Sequence, residues 1–182
     1  MSNYEEEKER SGARDRELGF EIEAAEAKTR ARIRTSKSMA EASSEIWAHL
    51  SPQVFQTPYE ELERIVTRVD PEKNISVWVD LGAAYGRLGI VLGRLRPSAR
   101  FIGIELVSER VQEGRRIYSR LGLKPESLIC ADLISTPLPE GDLYFIYDFG
   151  KREAIDRVLE QLRERARKTP LIVVGRGRRI RD

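Results

Sequence analysis

The stretch Val77–Gly93, VWVDLGAAYGRLGIVLG, decides the fold. Val77, Trp78, Val79 and Leu81 are strand-prone, and Asp80 sits among them, just ahead of a turn punctuated by Gly82 and Gly86. A helical pattern then runs from about Arg87 to Leu95. A glycine turn between strand and helix lets the backbone approach a ligand closely and presents N–H groups at the helix N-terminus. Nucleotide folds of many kinds share that turn. The carboxylate in front of it is the unusual feature.

The alternation continues downstream. FIGIE (Phe101–Glu105) reads as a strand, followed by a helix from Ser108 to about Leu121 that Gly122 stops. LIC (Leu128–Cys130) is a third strand, STPLPEG a proline-bearing loop, and LYFIYD (Leu143–Asp148) a fourth strand. A helix with Ile155, Val158, Leu159 and Leu162 on one face precedes a last strand, LIVV (Leu171–Val174). Upstream, TPYEELERIVTRV reads as a helix, with Thr57 as N-cap, Pro58 at the first helical position and Glu60 completing a capping box. Continuous apolar strands alternating with helices predict an α/β fold: a Rossmann-like, doubly wound, mainly parallel sheet covered on both faces.

Composition bounds the rest. Of 182 residues, 34% are charged and 40% hydrophobic, and the net charge of +2 is too near neutral to imply nucleic acid by itself. The single cysteine, Cys130, reads as a buried reduced thiol, so no disulfide framework is possible. The single histidine, His49, argues against a histidine-based metal site or a Ser-His-Asp relay and reads as a polar helix residue. No apolar run approaches the ~20 residues needed to span a membrane, and the acidic N-terminus is not signal-like, so a cytoplasmic protein is expected. Residues 1–50 read as a charged helical arm and 51–182 as the compact domain. In the arm, GFEIEAAEAKTRARIR carries only a thin apolar stripe of Leu18, Ile22, Ala25 and Ile33. Such a stripe predicts weak docking, packing on a partner, or fraying; a second short helix is expected over 37–50.

Three acids fall at three successive strand ends. Glu105, 19 residues after Gly86, is placed to accept hydrogen bonds from both hydroxyls of a ribose, and Asp132 follows the third strand. Asp80 decides between ligands. A carboxylate beside a pyrophosphate in a partly buried site is repelled by roughly a few kcal/mol. A ligand with an ammonium and a sulfonium but no phosphate has the opposite preference, and S-adenosylmethionine is such a ligand.

VDLGAAYGRLG, then IGIE, CADL and LYFIYD, over about Thr57 to Gly175, resembles the class I S-adenosylmethionine-dependent methyltransferases. TPYEELERIV ahead of VDLGAAYGR, with GIELVSERVQEGRR and ADL, resembles more narrowly the branch of the ATP synthase c-subunit lysine methyltransferases. The resemblance implies that Asp80, Gly82, Ala84 and Gly86 line the methionine part of the cofactor. It further implies that Glu105 holds the ribose, Asp132 meets the adenine amino group, Leu106 and Leu133 flank the ring, and Thr57 lies near the site. Two departures stand out. Ala84 replaces the usual middle glycine, which is tolerated unless that residue needs a positive φ. No counterpart of the family's C-terminal antiparallel hairpin follows LIVV, which would leave an exposed strand edge and points to missing residues, a partner strand or a dimer.

Residues after the fourth strand face the methyl group in this fold, so Tyr147 and Asp148, with Phe149, are the acceptor-site candidates. Asp148 is suited to orienting an amine and Tyr147 to accepting its hydrogen bond. The expected function is methylation of a protein lysine amine. The alternatives are a methyltransferase-like binding module that has lost catalysis, or an RNA or small-molecule methyltransferase. Arg176, Arg178, Arg179 and Arg181 keep an RNA contact open, against the plainer reading of a solvated basic tail. Tyr147 to Lys151 also spells the YxxxK of short-chain dehydrogenases, with Ser135 upstream, but Tyr147 ends a strand and Gly150 interrupts any helix.

Overall fold

The computed structural model describes residues 3–35, 50–69, 75–147 and 152–177. The helix expected over 37–50, His49, Asp148 with Phe149, and the arginines beyond 177 lie outside the described residues. The elements in chain order are α1 (Asn3–Glu17), α2 (Ile22–Thr35), α3 (Pro52–Phe55), α4 (Tyr59–Arg68), β1 (Val77–Leu81), α5 (Arg87–Leu95), β2 (Arg100–Glu105), α6 (Ser108–Arg120), β3 (Leu128–Cys130), β4 (Leu143–Tyr147), α7 (Arg152–Ala166) and β5 (Ile172–Arg176). The sheet runs β3-β2-β1-β4-β5 with every neighbour parallel. This is the doubly wound α/β architecture that the alternation predicts.

Side chains leave each strand alternately, so two cores form. Trp78, Leu143 and Phe145 join Leu62 and Val66 of α4, Leu88, Val91 and Leu92 of α5, and Val111 and Ile117 of α6. Val79, Leu81, Ile104, Tyr144 and Ile146 pack on Val158 and Leu162 of α7 from the other face. The strand order reverses between β1 and β4, and parallel sheets bind ligands outside the strand C-termini at that switch point. The outer edge of β5 pairs with no described strand, and Val173 on it is exposed.

Several local expectations are corrected. Thr57 does not cap α4: Pro58 stands at the cap, and the N–H of Tyr59 donates to Ser11 Oγ of α1 at 2.9 Å. Glu60 takes hydrogen bonds from Arg10 and Ser11 instead of closing a capping box. Ala84 does adopt a positive φ, 48°, a strain of ~1–2 kcal/mol that a glycine would avoid. Cys130 is exposed, because β3 is a three-residue edge strand covered on its first residue only.

The described part of the arm forms α1 and α2, which pack on the domain. Phe20, Ile22 and Ala25 are buried in the core shared with the domain, and polar pairs join them. Asp15 and Arg87 form an ion pair with both side chains at most 4% exposed, and Glu26 and Arg110 form a second, equally buried pair at 2.8 Å. Glu7–Arg64 (2.9 Å) and Arg32–Glu109 (2.8 Å) lie farther out. Among the described residues no helix is long and apolar enough to cross a membrane.

Candidate functional site

Asp80 projects from the centre of the sheet, in register with Gly103 of β2 and Phe145 of β4. It is 5% exposed, and its carboxylate has no hydrogen bond or ion pair with any described residue. Burial, and then the negative charge of Glu105, push its pKa up from 3.8 to about 8. A buried carboxylate without a partner holds its proton unless a cation arrives. The site therefore favours a positively charged ligand group and disfavours a phosphate.

The turn after β1 is wound tightly. Gly82 and Gly86 have φ of 92° and 83°. The N–H groups of Gly82 and Ala83 both donate to Ile104 O at 2.9 Å, that of Gly86 donates to Ala83 O, and that of Ala84 donates to Glu105 Oε2 at 2.9 Å. Four N–H groups of the turn are thus engaged within the protein rather than held open for a ligand. Glu105 Oε1 accepts from Val107 N at 2.9 Å and lies 3.9 Å from Arg110 Nη1. Each Glu105 oxygen retains a lone pair for a second donor.

The other expected residues fall along the same edge. Leu106 is exposed beside Glu105, whereas Leu133 is buried in the core facing α7. Asp132 is half-buried and accepts from Ile134 N at 2.9 Å, which fixes the loop after β3. Thr57 is buried, and its carbonyl accepts from Arg87 Nη1 at 3.2 Å. Tyr147 ends β4; its hydroxyl donates to Val54 O at 3.3 Å, and the Arg176 guanidinium lies 4.6 Å from its ring centre. Arg176 is held by Glu61 at 2.8 Å and by the Tyr4 hydroxyl. Burial raises the phenol of Tyr4, which the neighbouring Arg176 opposes.

The structure adds residues that the sequence reading missed. A cleft of about 30 Å³ opens on Asp80, lined by Phe55, Gln56, Thr57, Gly82, Ala84, Phe145 and Tyr147 among others. That space holds about one water, far below the several hundred Å³ of a nucleoside site. The segment 52–57 closes it, and Arg110 packs on Phe55 at 4.3 Å. Tyr85, at the end of the turn, donates to Glu26 at 2.7 Å and packs edge-on against Phe20. The arm thus packs against the turn that follows β1. A far larger cleft, of about 950 Å³ and lined by Val77, Arg100, Asp142 and Lys168 among others, lies at the opposite ends of the strands, away from the acids.

No protein-family model and no curated protein matches the chain. Solved structures do match. A putative O-methyltransferase from Nostoc punctiforme aligns with a TM-score of 0.51 and 14% identity, covering 64% of this chain and 36% of that one. A precorrin-6y C5,15-methyltransferase from Geobacter metallireducens aligns with a TM-score of 0.50 and 19% identity, over 69% of this chain and 65% of that one. The chain spans less than two thirds of the length of either protein. The likeness is one of fold: the sheet and its helices have the Rossmann-like arrangement of these methyltransferases.

Proposed function

We propose that the protein is an S-adenosylmethionine-dependent methyltransferase whose acceptor is a lysine amine on a protein. The observation that carries the first part is Asp80, a buried carboxylate without a partner behind a glycine turn. It complements an ammonium group and a nearby sulfonium, and it conflicts with the pyrophosphate of a dinucleotide. Glu105 supports the reading as an acid at the end of β2 with acceptor capacity left for ribose hydroxyls. Asp132, Leu106 and Leu133 follow along the edge toward the adenine end. The fold shared with known methyltransferases is consistent with this assignment.

Bound there, the cofactor supplies an electrophilic methyl group on positive sulfur. The chain's own work is to bind, orient and exclude water. Tyr147 stands at the end of β4 with its hydroxyl at the cleft, and Asp148 follows it directly in the sequence. An acid there attracts a lysine ammonium and disfavours a phosphate-rich acceptor, and the amine then loses its proton before attack. A second reading, a binding module without catalysis, draws support from the closed cleft.

Calorimetric titration with S-adenosylhomocysteine separates the two. Wild type should bind, and Glu105→Ala should weaken binding by ~1–3 kcal/mol, the range for losing hydrogen bonds to a charged acceptor. Folded wild type that binds nothing removes the enzyme reading. Labelled-methyl transfer into lysate proteins, reduced in Asp148→Asn while cofactor binding persists, supports the lysine acceptor. Transfer into RNA or small molecules alone overturns it.

A further inference from the structure

Gln56 lies between α3 and α4, is 4% exposed, and lines the Asp80 cleft. Its side-chain nitrogen Nε2 is buried and has no hydrogen-bond partner among the described residues. A primary amide carries two N–H donors, and leaving them unmet in the interior costs free energy that no protein contact returns. Nearly all buried side-chain polar groups are paired, so an unpaired donor on a residue that lines a cleft calls for an explanation.

The neighbouring groups narrow what that donor serves. Asp80 in the same cleft is acceptor-rich and unpaired. Gln56 is a donor and also unpaired, so the pair is complementary to a group with one cationic and one anionic end. The Arg87 guanidinium and four N–H groups of the turn are already committed. Arg87, although it lines the cleft, gives its guanidinium to Asp15, Gln53 Oε1 (3.0 Å) and Thr57 O (3.2 Å). The turn N–H groups of Gly82, Ala83, Ala84 and Gly86 donate within the protein.

We propose that the side-chain amide of Gln56 donates to the α-carboxylate of the ligand's amino-acid head group, opposite Asp80, which receives its ammonium. The inference rests on the cofactor reading above and assigns to it a residue that selects for the carboxylate. The 30 Å³ cleft is too narrow for a head group in its present form. Segment 52–57 therefore swings outward to admit the ligand and brings Gln56 onto it on closing.

The test compares S-adenosylhomocysteine with its decarboxylated analogue, which keeps the ammonium and lacks the carboxylate. Both are titrated calorimetrically into the full chain as wild type, Gln56→Leu and Gln56→Glu. Gln56→Leu should weaken the carboxylated ligand by roughly 5- to 100-fold and leave the analogue within about twofold. Gln56→Glu should weaken it further, because like charges then face each other, and should not weaken the analogue. Gln56→Leu should melt no lower than wild type, since it removes an unsatisfied buried amide, and that result separates lost recognition from lost folding. Equal losses for both ligands, or no loss for either, overturn the role of Gln56 while leaving the cofactor reading standing. Wild type that binds neither ligand removes both.

Discussion

Asp15 is the arm's firmest tie to the strand edge, and replacing it with asparagine tests whether that tie is energetically real. Its carboxylate accepts from Tyr59 Oη at 3.0 Å, from Arg87 Nε at 3.2 Å, and from Arg87 Nη2. The pair is almost wholly buried. Removing one partner of a buried pair costs ~3–5 kcal/mol, because the other charge stays behind uncompensated. Asparagine keeps the shape and one acceptor oxygen, so the low end, about 3 kcal/mol, is expected. That is a large share of the ~5–15 kcal/mol that holds a domain together.

Urea unfolding should show the loss as a lower midpoint, and hydrogen exchange should show protection falling first over Asn3–Glu17. Replacing both Asp15 and Arg87 with leucine should recover most of the loss, since a packed apolar pair often equals a buried ion pair. Asp15 holds Arg87, which lines the cleft, so loosening the arm should also speed uptake of S-adenosylhomocysteine, by about tenfold for each 1.4 kcal/mol taken from docking. A stability change below about 1 kcal/mol with unaltered protection over α1 would refute the reasoning. So would an unchanged association rate in a variant whose arm has demonstrably loosened.

Two further outcomes follow from single residues. Asp80 keeps its proton in the folded chain up to about pH 8 but loses it near 3.8 when unfolded, so its titration adds no cost below about pH 4 and destabilises increasingly from there to about 8. The slope is on the order of 1 kcal/mol per pH unit; urea unfolding across that window should find it flattened in Asp80→Asn, and an identical slope would dismiss the assignment. Gly86→Ala should cost roughly 2–4 kcal/mol in thermal or urea unfolding, since φ is 83° and a Cβ would stand 2.6 Å from Tyr118 Oη and 2.9 Å from Leu128 Cδ2; a loss under about 1 kcal/mol would show that the turn relaxes.

The sheet was legible because its signals are local. Apolar runs, glycine at Gly82 and Gly86, and helical spacing after Arg87 each declare themselves within a few residues. The three acids were legible as a set because parallel strands bring successive C-termini to one edge. The cap of α4 was not, since its acceptor, Ser11, lies 48 residues away. The positive φ of Ala84 was not either, because alanine gives no sign of it. The thin stripe of the arm suggested weak docking, packing on a partner, or fraying, whereas the described arm helices meet the domain through buried ion pairs. Asp15 meets Arg87 across 72 residues and Glu26 meets Arg110 across 84.

A local signal for those pairs does exist, and it lies in the domain rather than in the arm. Arg87 opens α5, and Arg110 is the third residue of α6. A cation in the first turn of a helix opposes the positive end of the helix dipole. Burial makes that placement worse, because the charge also loses water. Each arginine therefore requires a carboxylate from outside its own helix. For Arg87 its own first turn has none to give, α5 having no acidic residue there. In α6 the neighbouring Glu109 is turned to Arg32 of the arm instead. The charges spread through α1 and α2 have no evident use while these two arginines are left out. Once they are counted as buried cations at the strand edge, Asp15 and Glu26 become the anions they need, on consecutive helices that reach α5 and α6 respectively. The arm is then electrostatically part of the edge that carries Asp80 and Glu105, since Arg110 lies between Glu26 and Glu105 and Arg87 lines the Asp80 cleft.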